Sequence, residues 1–145
     1  MPKYLFPKSR RLLKSAEFDA VFAAKCSAAD RLLVVYAWPN DKGHPRLGLV
    51  VSRKVGGAVR RNRWKRLLRE AFRLAQHDLP AVDVVCLPRF RGEPTLDALA
   101  QALQELATRL AKKAERRLGE AAERRLGETA DKQQKAERRQ GEASS

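Results

Sequence analysis

The side chains able to carry out proton transfer, nucleophilic attack or metal binding are few and scattered in this chain. Within residues 1–113 the ten carboxylates stand singly, except for Glu17 and Asp19. Those two are two positions apart in a helical pattern and so do not face each other. Hydrolysis of a phosphodiester by two metal ions needs several oxygen ligands around ions about 4 Å apart, and no such constellation is visible. His44 lies in the turn-like stretch NDKGHP and His77 at the polar end of a helix, neither with a carboxylate or nucleophile nearby in sequence. Both read as solvated side chains rather than acid/base catalysts. Cys26 and Cys86 have no CxxC pairing and no neighbouring histidine, so they are expected to be reduced thiols and not zinc ligands or a disulfide. The stretch GGAVRRNRWK lacks the Gly-Lys-Ser/Thr ending of a phosphate-cradling loop. These absences argue against a self-sufficient nuclease, and no catalytic or metal-ligating residue is expected.

What the sequence does concentrate is positive charge. Thirty-one Lys and Arg against 17 Asp and Glu give a formal charge of +14 in 145 residues, which calls for a polyanionic partner. The densest part is RRNRWKRLLREAFRLA. Projected on a helix, Trp64, Leu67, Leu68, Ala71, Phe72, Leu74 and Ala75 fall in an arc of about 160°. The opposite arc collects Asn62, Arg63, Lys65, Arg66, Arg69, Glu70 and Arg73. One face can be buried while the other presents guanidinium forks that match phosphate oxygens. Solvated faces usually mix signs, yet Glu70 is the sole acid between Arg53 and Arg73, against nine basic residues. Nucleic-acid binding follows.

Other elements must hold that helix. A short amphipathic helix is expected over SAEFDAVFAAK, with Ser15 as its N-cap and Phe18, Val21 and Phe22 on one face. After CSAAD, the runs RLLVVYAW and RLGLVVS, separated by a Pro/Asn/Asp/Gly turn, read as two adjacent strands. Gly56 and Gly57 break the chain before a long basic helix over about residues 58–76. AVDVVCL is a further strand, and a loop from Pro88 to Pro94 leads to a helix over TLDALAQALQELATRLAKK. Its leucines, Leu96, Leu99, Leu103, Leu106 and Leu110, are too few for a coiled coil and are expected to pack on the sheet. Trp38 and Trp64 are expected in the core.

From Ala114 the composition changes to a repeat, AERRLGEA, AERRLGET and AERRQGEA. The expected division is a domain over 1–113 and a nearly neutral tail over 114–145, disordered or a frayed helix. The longest apolar run, Leu32 to Trp38, is far short of the roughly 18 residues of a spanning helix. The basic N-terminal stretch lacks the apolar run of a secretory signal, so a cytoplasmic protein without a membrane partner is expected.

The wording of residues 46–72, RLGLVVSRKVGGAVRRNRWKRLLREAF, closely resembles the signature of the bacterial ribonuclease P protein family: a strand, a basic turn and an Arg-Asn-Arg helix. A basic N-terminal segment, two phenylalanines four apart (Phe18 and Phe22) and a strand tyrosine (Tyr36) also agree, so the resemblance covers roughly residues 8–110. It implies an α/β (α+β) sandwich, with a small mixed sheet of three to four strands, three helices and a left-handed βαβ crossover. It implies that Arg61, Asn62, Arg63, Lys65, Arg66 and Arg69 contact a catalytic RNA, Arg61 and Asn62 also facing the substrate. Phe18, Phe22 and Tyr36, with Ser52, Arg53 and Lys54, would line a cleft for the single-stranded 5′ leader of precursor tRNA. From the residues alone, two Phe at this spacing more often belong to a core. The implied activity is leader removal, with Mg²⁺ held mainly by the RNA and no protein partner required. A structural RNA binder of the ribosomal type, with no part in cleavage, is the other reading that composition allows.

Overall fold

The structure is a computed structural model that describes residues 7–89 and 93–143, with side chains described through Gln134. Residues 90–92, inside the loop expected between Pro88 and Pro94, and residues 1–6 of the basic N-terminal stretch lie outside it. The chain divides into two units, one through Ala114 and one from Glu115.

In the first unit, helix α1 spans Ser15–Ala23. Its N-cap is Lys14, not Ser15. Glu17 reaches back so that one carboxylate oxygen accepts the amides of Leu13 (3.1 Å) and Lys14 (2.9 Å), which moves the helix start one residue earlier than a serine hydroxyl would set it. Lys25 takes a left-handed conformation (φ 53°) and turns the chain out of the helix. The chain then enters β1, Ser27–Ala29, a strand that the residues had not suggested. Ser-Ala-Ala has little strand preference of its own; it is held by register with β2 (Leu33–Pro39), Ala28 opposite Val35.

The sheet is completed by β3 (Arg46–Leu49) and β4 (Val82–Pro88), in the order β1-β2-β4-β3. β4 pairs antiparallel with β2 and parallel with β3. The expected adjacency of the second and third strands is therefore overturned, because β4 lies between them. Its residues Val82 to Cys86 are all buried, as suits a strand covered on both faces. The short β3 lies at the other side, where Leu12 N–H donates to the Leu47 carbonyl at 2.9 Å and Arg11 forms a parallel bridge with Leu47. That contact covers part of an edge that would otherwise be open.

Helix α2 (Ala58–Ala75) and the helix α3 (Leu96–Ala143) as far as Ala114 bury one sheet face. Trp64, Leu68 and Phe72 of α2, and Leu99, Leu103, Leu106 and Leu110 of α3, pack with Leu33, Val35, Leu47, Val84 and Cys86. The leucine spacing of α3 thus serves sheet packing. Ala114, which the composition change places in the tail, is fully buried in this core. Trp38 is only half-buried at the core's margin, and Leu74, counted on the apolar arc, is 39% exposed. α1 packs on the other face, where Leu12, Val21 and Val85 form a smaller cluster with Phe18, Phe22, Tyr36 and Leu87.

In the second unit the backbone is helical through Ala143, where the residues admitted disorder or a frayed helix. Nearly all its described side chains are exposed, including Leu126 at 72%, in keeping with a sequence that has no apolar stripe to bury.

Candidate nucleic-acid interface

Ser52 and the single 3₁₀ turn that it precedes, Arg53–Val55, present Ser52, Arg53 and Lys54 exposed between β3 and α2. The turn is followed by Gly56 at φ 145°, a conformation that side chains rarely adopt, where an added Cβ would also meet Arg60 Cδ at 2.8 Å. This break launches α2 with its apolar arc inward. Asn62, Arg63, Arg66 and Arg69 are exposed on the other arc, and Arg61 and Lys65 half-buried at its margins. Glu70 is bound to Arg73, so the one acid of the segment is neutralised within it. Arg63 meets Glu93 at 3.0 Å with both side chains over 60% exposed, a pair too solvated to add much stability.

Phe18, Phe22 and Tyr36 come together as the sequence suggested. The rings of Phe22 and Tyr36 meet edge to face with centroids 4.9 Å apart. All three are half-buried: they pack on Leu12, Val21 and Val85 yet keep exposed surface. The Phe18 ring lies so close on Gly48 that a Cβ there would stand 2.6 and 2.9 Å from ring carbons. Gly48→Ala is expected to push Phe18 off the strand, destabilising the fold by about 1 to 3 kcal/mol. A melt indistinguishable from wild type would show that the ring is free to move aside. By register, the face bearing Tyr36 and Val85 continues through Val34 and Leu87 toward Val50, after which residues 52–54 follow.

The outward side of α2 borders two separate clefts. One is lined by Val59, Asn62, Arg63 and Arg66. The other lies between the N-terminal segment, α1, β3 and α2, and brings Lys65 and Arg69 into the same cleft as Phe18. Two sets that were separate in sequence are joined there.

Arg46 was not among the expected site residues. Its Nε and Nη2 donate to the two oxygens of Asp83, each at 2.7 Å, and its Nη1 donates to Glu17 Oε2 at 2.7 Å. Asn40 adds an Nδ2 donor to Asp83 at 2.8 Å. The guanidinium thus links α1 to β3 and β4 and sets the helix that carries Phe18 and Phe22. The Lys14 and Leu13 amides, with Arg46 behind them, hold the Glu17 carboxyl below its ordinary pKa, while the Asp83 bond raises that of Arg46. An aspartate within the apolar run VDVVCL was the available signal, since a buried carboxylate needs a partner. Among the described residues no three His, Cys, Asp or Glu converge as a metal site.

The sequence profile of the family Ribonuclease P matches residues 6–111. The chain belongs to the ribonuclease P protein family. The ribonuclease P protein component of Photorhabdus laumondii is 44% identical over 117 residues, covering 79% of this chain and 98% of the relative. That of Methylococcus capsulatus is 51% identical over 87 residues, 59% and 68% of the two chains. Among solved structures, the Staphylococcus aureus ribonuclease P protein aligns with a TM-score of 0.61 at 33% identity, over 71% of this chain and 95% of that one. The Thermotoga maritima protein gives 0.62 at 32%, over 68% and 96%. The fold is the α+β fold of ribonuclease P proteins. The chain is the protein subunit of the ribonucleoprotein endoribonuclease that processes tRNA, and its partner is ribonuclease P RNA. No helix among the described residues is long and apolar enough to cross a membrane.

Proposed function

We propose that this subunit holds the single-stranded 5′ leader of precursor tRNA on the α1 side of its sheet, while the part of the outward arc of α2 that carries Arg61, Asn62, Arg63 and Arg66 docks the catalytic RNA. The observation that carries this reading is the half-buried aromatic group, Phe18, Phe22 and Tyr36, on the α1 face of the sheet, of which Phe18 shares a cleft with Lys65 and Arg69 of α2. Aromatic faces stack on unpaired bases at about 1 to 3 kcal/mol each with little regard to sequence, which suits an enzyme that meets many leaders. Arg53 and Lys54, exposed beyond the end of that face, supply leader phosphate contacts with Ser52. Arg61, Asn62, Arg63 and Arg66 face the catalytic RNA and screen its phosphates. In this reading the Mg²⁺ ions of the reaction are held mainly by the RNA. The subunit works in the cytoplasm, and no protein partner is required.

The test is reconstitution with a bacterial ribonuclease P RNA. Tyr36→Ala is expected to weaken holoenzyme binding of precursor tRNA about fivefold or more while leaving mature tRNA binding nearly unchanged. Arg66→Ala should lower the slope of log affinity for the catalytic RNA against log salt by roughly 0.7 to 0.9, the value of one phosphate contact. Equal losses for both tRNAs, or an unchanged slope, would reject the respective face.

A further inference from the structure

The cleft between the N-terminal segment and α2 is a small open space of about 200 Å³ lined by Arg11, Leu12, Leu13, Phe18, Leu47, Leu49, Lys65 and Arg69. Its composition is two-part. Five apolar side chains form one side, among them Leu13, which is 64% exposed and so offers apolar surface to whatever enters. Three cations form the other, and no acid lines it. Lys65 and Arg69 stand one helical turn apart on the edge of α2 that lines this cleft, while Arg11 comes from the strand-like segment beside β3. The volume is below the roughly 300 to 1,000 Å³ of pockets for drug-sized ligands.

Double-helical RNA presents phosphates and sugars at its surface and keeps its base faces stacked inside. It would use the cations and leave the exposed Leu13 and the half-buried Phe18 and Leu49 without a partner. An unpaired nucleotide presents a base face and a phosphate together, which is the combination this cleft complements. The cleft also shares Phe18 with the aromatic face proposed for the leader.

We propose that the cleft seats one unpaired leader nucleotide, its base against Leu12, Leu13, Phe18 and Leu49, and its phosphate on Arg11, Lys65 and Arg69. This rests on the leader-binding reading above and divides the polar arc of α2. Lys65 and Arg69 serve the substrate strand, and the groove of Asn62, Arg63 and Arg66 serves the catalytic RNA. The residues Arg11 to Leu13 become part of the substrate site.

The test uses the full chain reconstituted with a bacterial ribonuclease P RNA and precursor tRNAs carrying an abasic residue at successive leader positions. With wild type, one position is expected to show an extra loss of affinity of about fivefold or more. Leu13→Asp, at an exposed residue, should abolish that position-specific loss and leave the other positions unchanged. Arg69→Gln should weaken binding of leader-bearing precursor while leaving affinity for the catalytic RNA within about twofold, and Arg66→Gln should do the reverse. The same abasic profile in wild type and Leu13→Asp, or an Arg69→Gln loss directed at the catalytic RNA, overturns the seat but leaves the leader reading standing. A wild-type holoenzyme that binds precursor and mature tRNA equally well removes the leader reading and the seat together.

Discussion

Arg46→Ala is expected to lower the stability of the first unit by roughly 3 kcal/mol, reading out as a fall in melting temperature on the order of 10 °C. The side chains of Arg46 and Asp83 are only 12% and 11% exposed, and Glu17 25%. Removing the cation leaves two carboxylates close together with three charge-assisted bonds of 2.7 Å gone. Arg46→Lys should recover only part of the loss, since a single ammonium cannot match the two oxygens of Asp83 and also reach Glu17. The network also gives the fold an acid limit. Because the Glu17 carboxyl is held below its ordinary value of 4.5, its contribution is fully present above that value. It is lost as pH falls through the lowered one. Glu17→Gln should therefore flatten the decline of stability below about pH 4.5. An Arg46→Ala protein that melts like wild type would show that the three bonds contribute nothing net.

The isolated protein is expected to cleave no RNA under any metal, whereas the RNA alone should retain slow cleavage at high magnesium. The physical reason is where the carboxylates are placed. Glu17 and Asp83 are both committed to Arg46, Glu70 to Arg73, and Asp19 is exposed on α1. A pair of metal ions about 4 Å apart needs several such oxygens converging on one point. Single-turnover cleavage at saturating holoenzyme isolates the chemical step. Alanine at Glu17, Asp19, Glu70 or Asp83 should leave that step within about tenfold of wild type, equivalent to ~1.4 kcal/mol in barrier. A thousandfold loss from any one of them in a folded protein would place catalytic groups in this chain.

The parts legible in the sequence are those where one short segment holds all the information. The two arcs of α2 are such a case: Trp64, Leu68 and Phe72 are buried, and Asn62, Arg63, Arg66 and Arg69 exposed, as the helical spacing requires. Phe18, Phe22 and Tyr36 are singled out by family resemblance where spacing alone favours a core; the structure brings them together and leaves them half-buried. What escaped depends on distant partners. β1 is a strand only because β2 supplies hydrogen bonds to Ser-Ala-Ala. The order β2-β4-β3 cannot be read from a turn between two strands when a helix carries the chain back to a third place. Arg46 and Asp83 lie 37 residues apart and Arg46 and Glu17 lie 29, so their triad exists only after folding. The cleft holding Arg11, Phe18 and Arg69 likewise joins three segments.

The position of β4 has a consequence for synthesis. It is the last strand to leave the ribosome and the one that both β2 and β3 pair with. Until residues 82–88 emerge, β3 has no backbone pairing among the described residues beyond that with the few residues around Leu12, and β1–β2 is an isolated hairpin, marginal in water. The nascent chain thus carries its arginine-rich segment, residues 60–73, out of the exit tunnel before β4 joins β2 to β3 and completes the sheet that buries Trp64 and Phe72. Folding of this subunit is therefore a late, nearly all-at-once event in translation, governed by non-local pairing rather than by growth from the N-terminus.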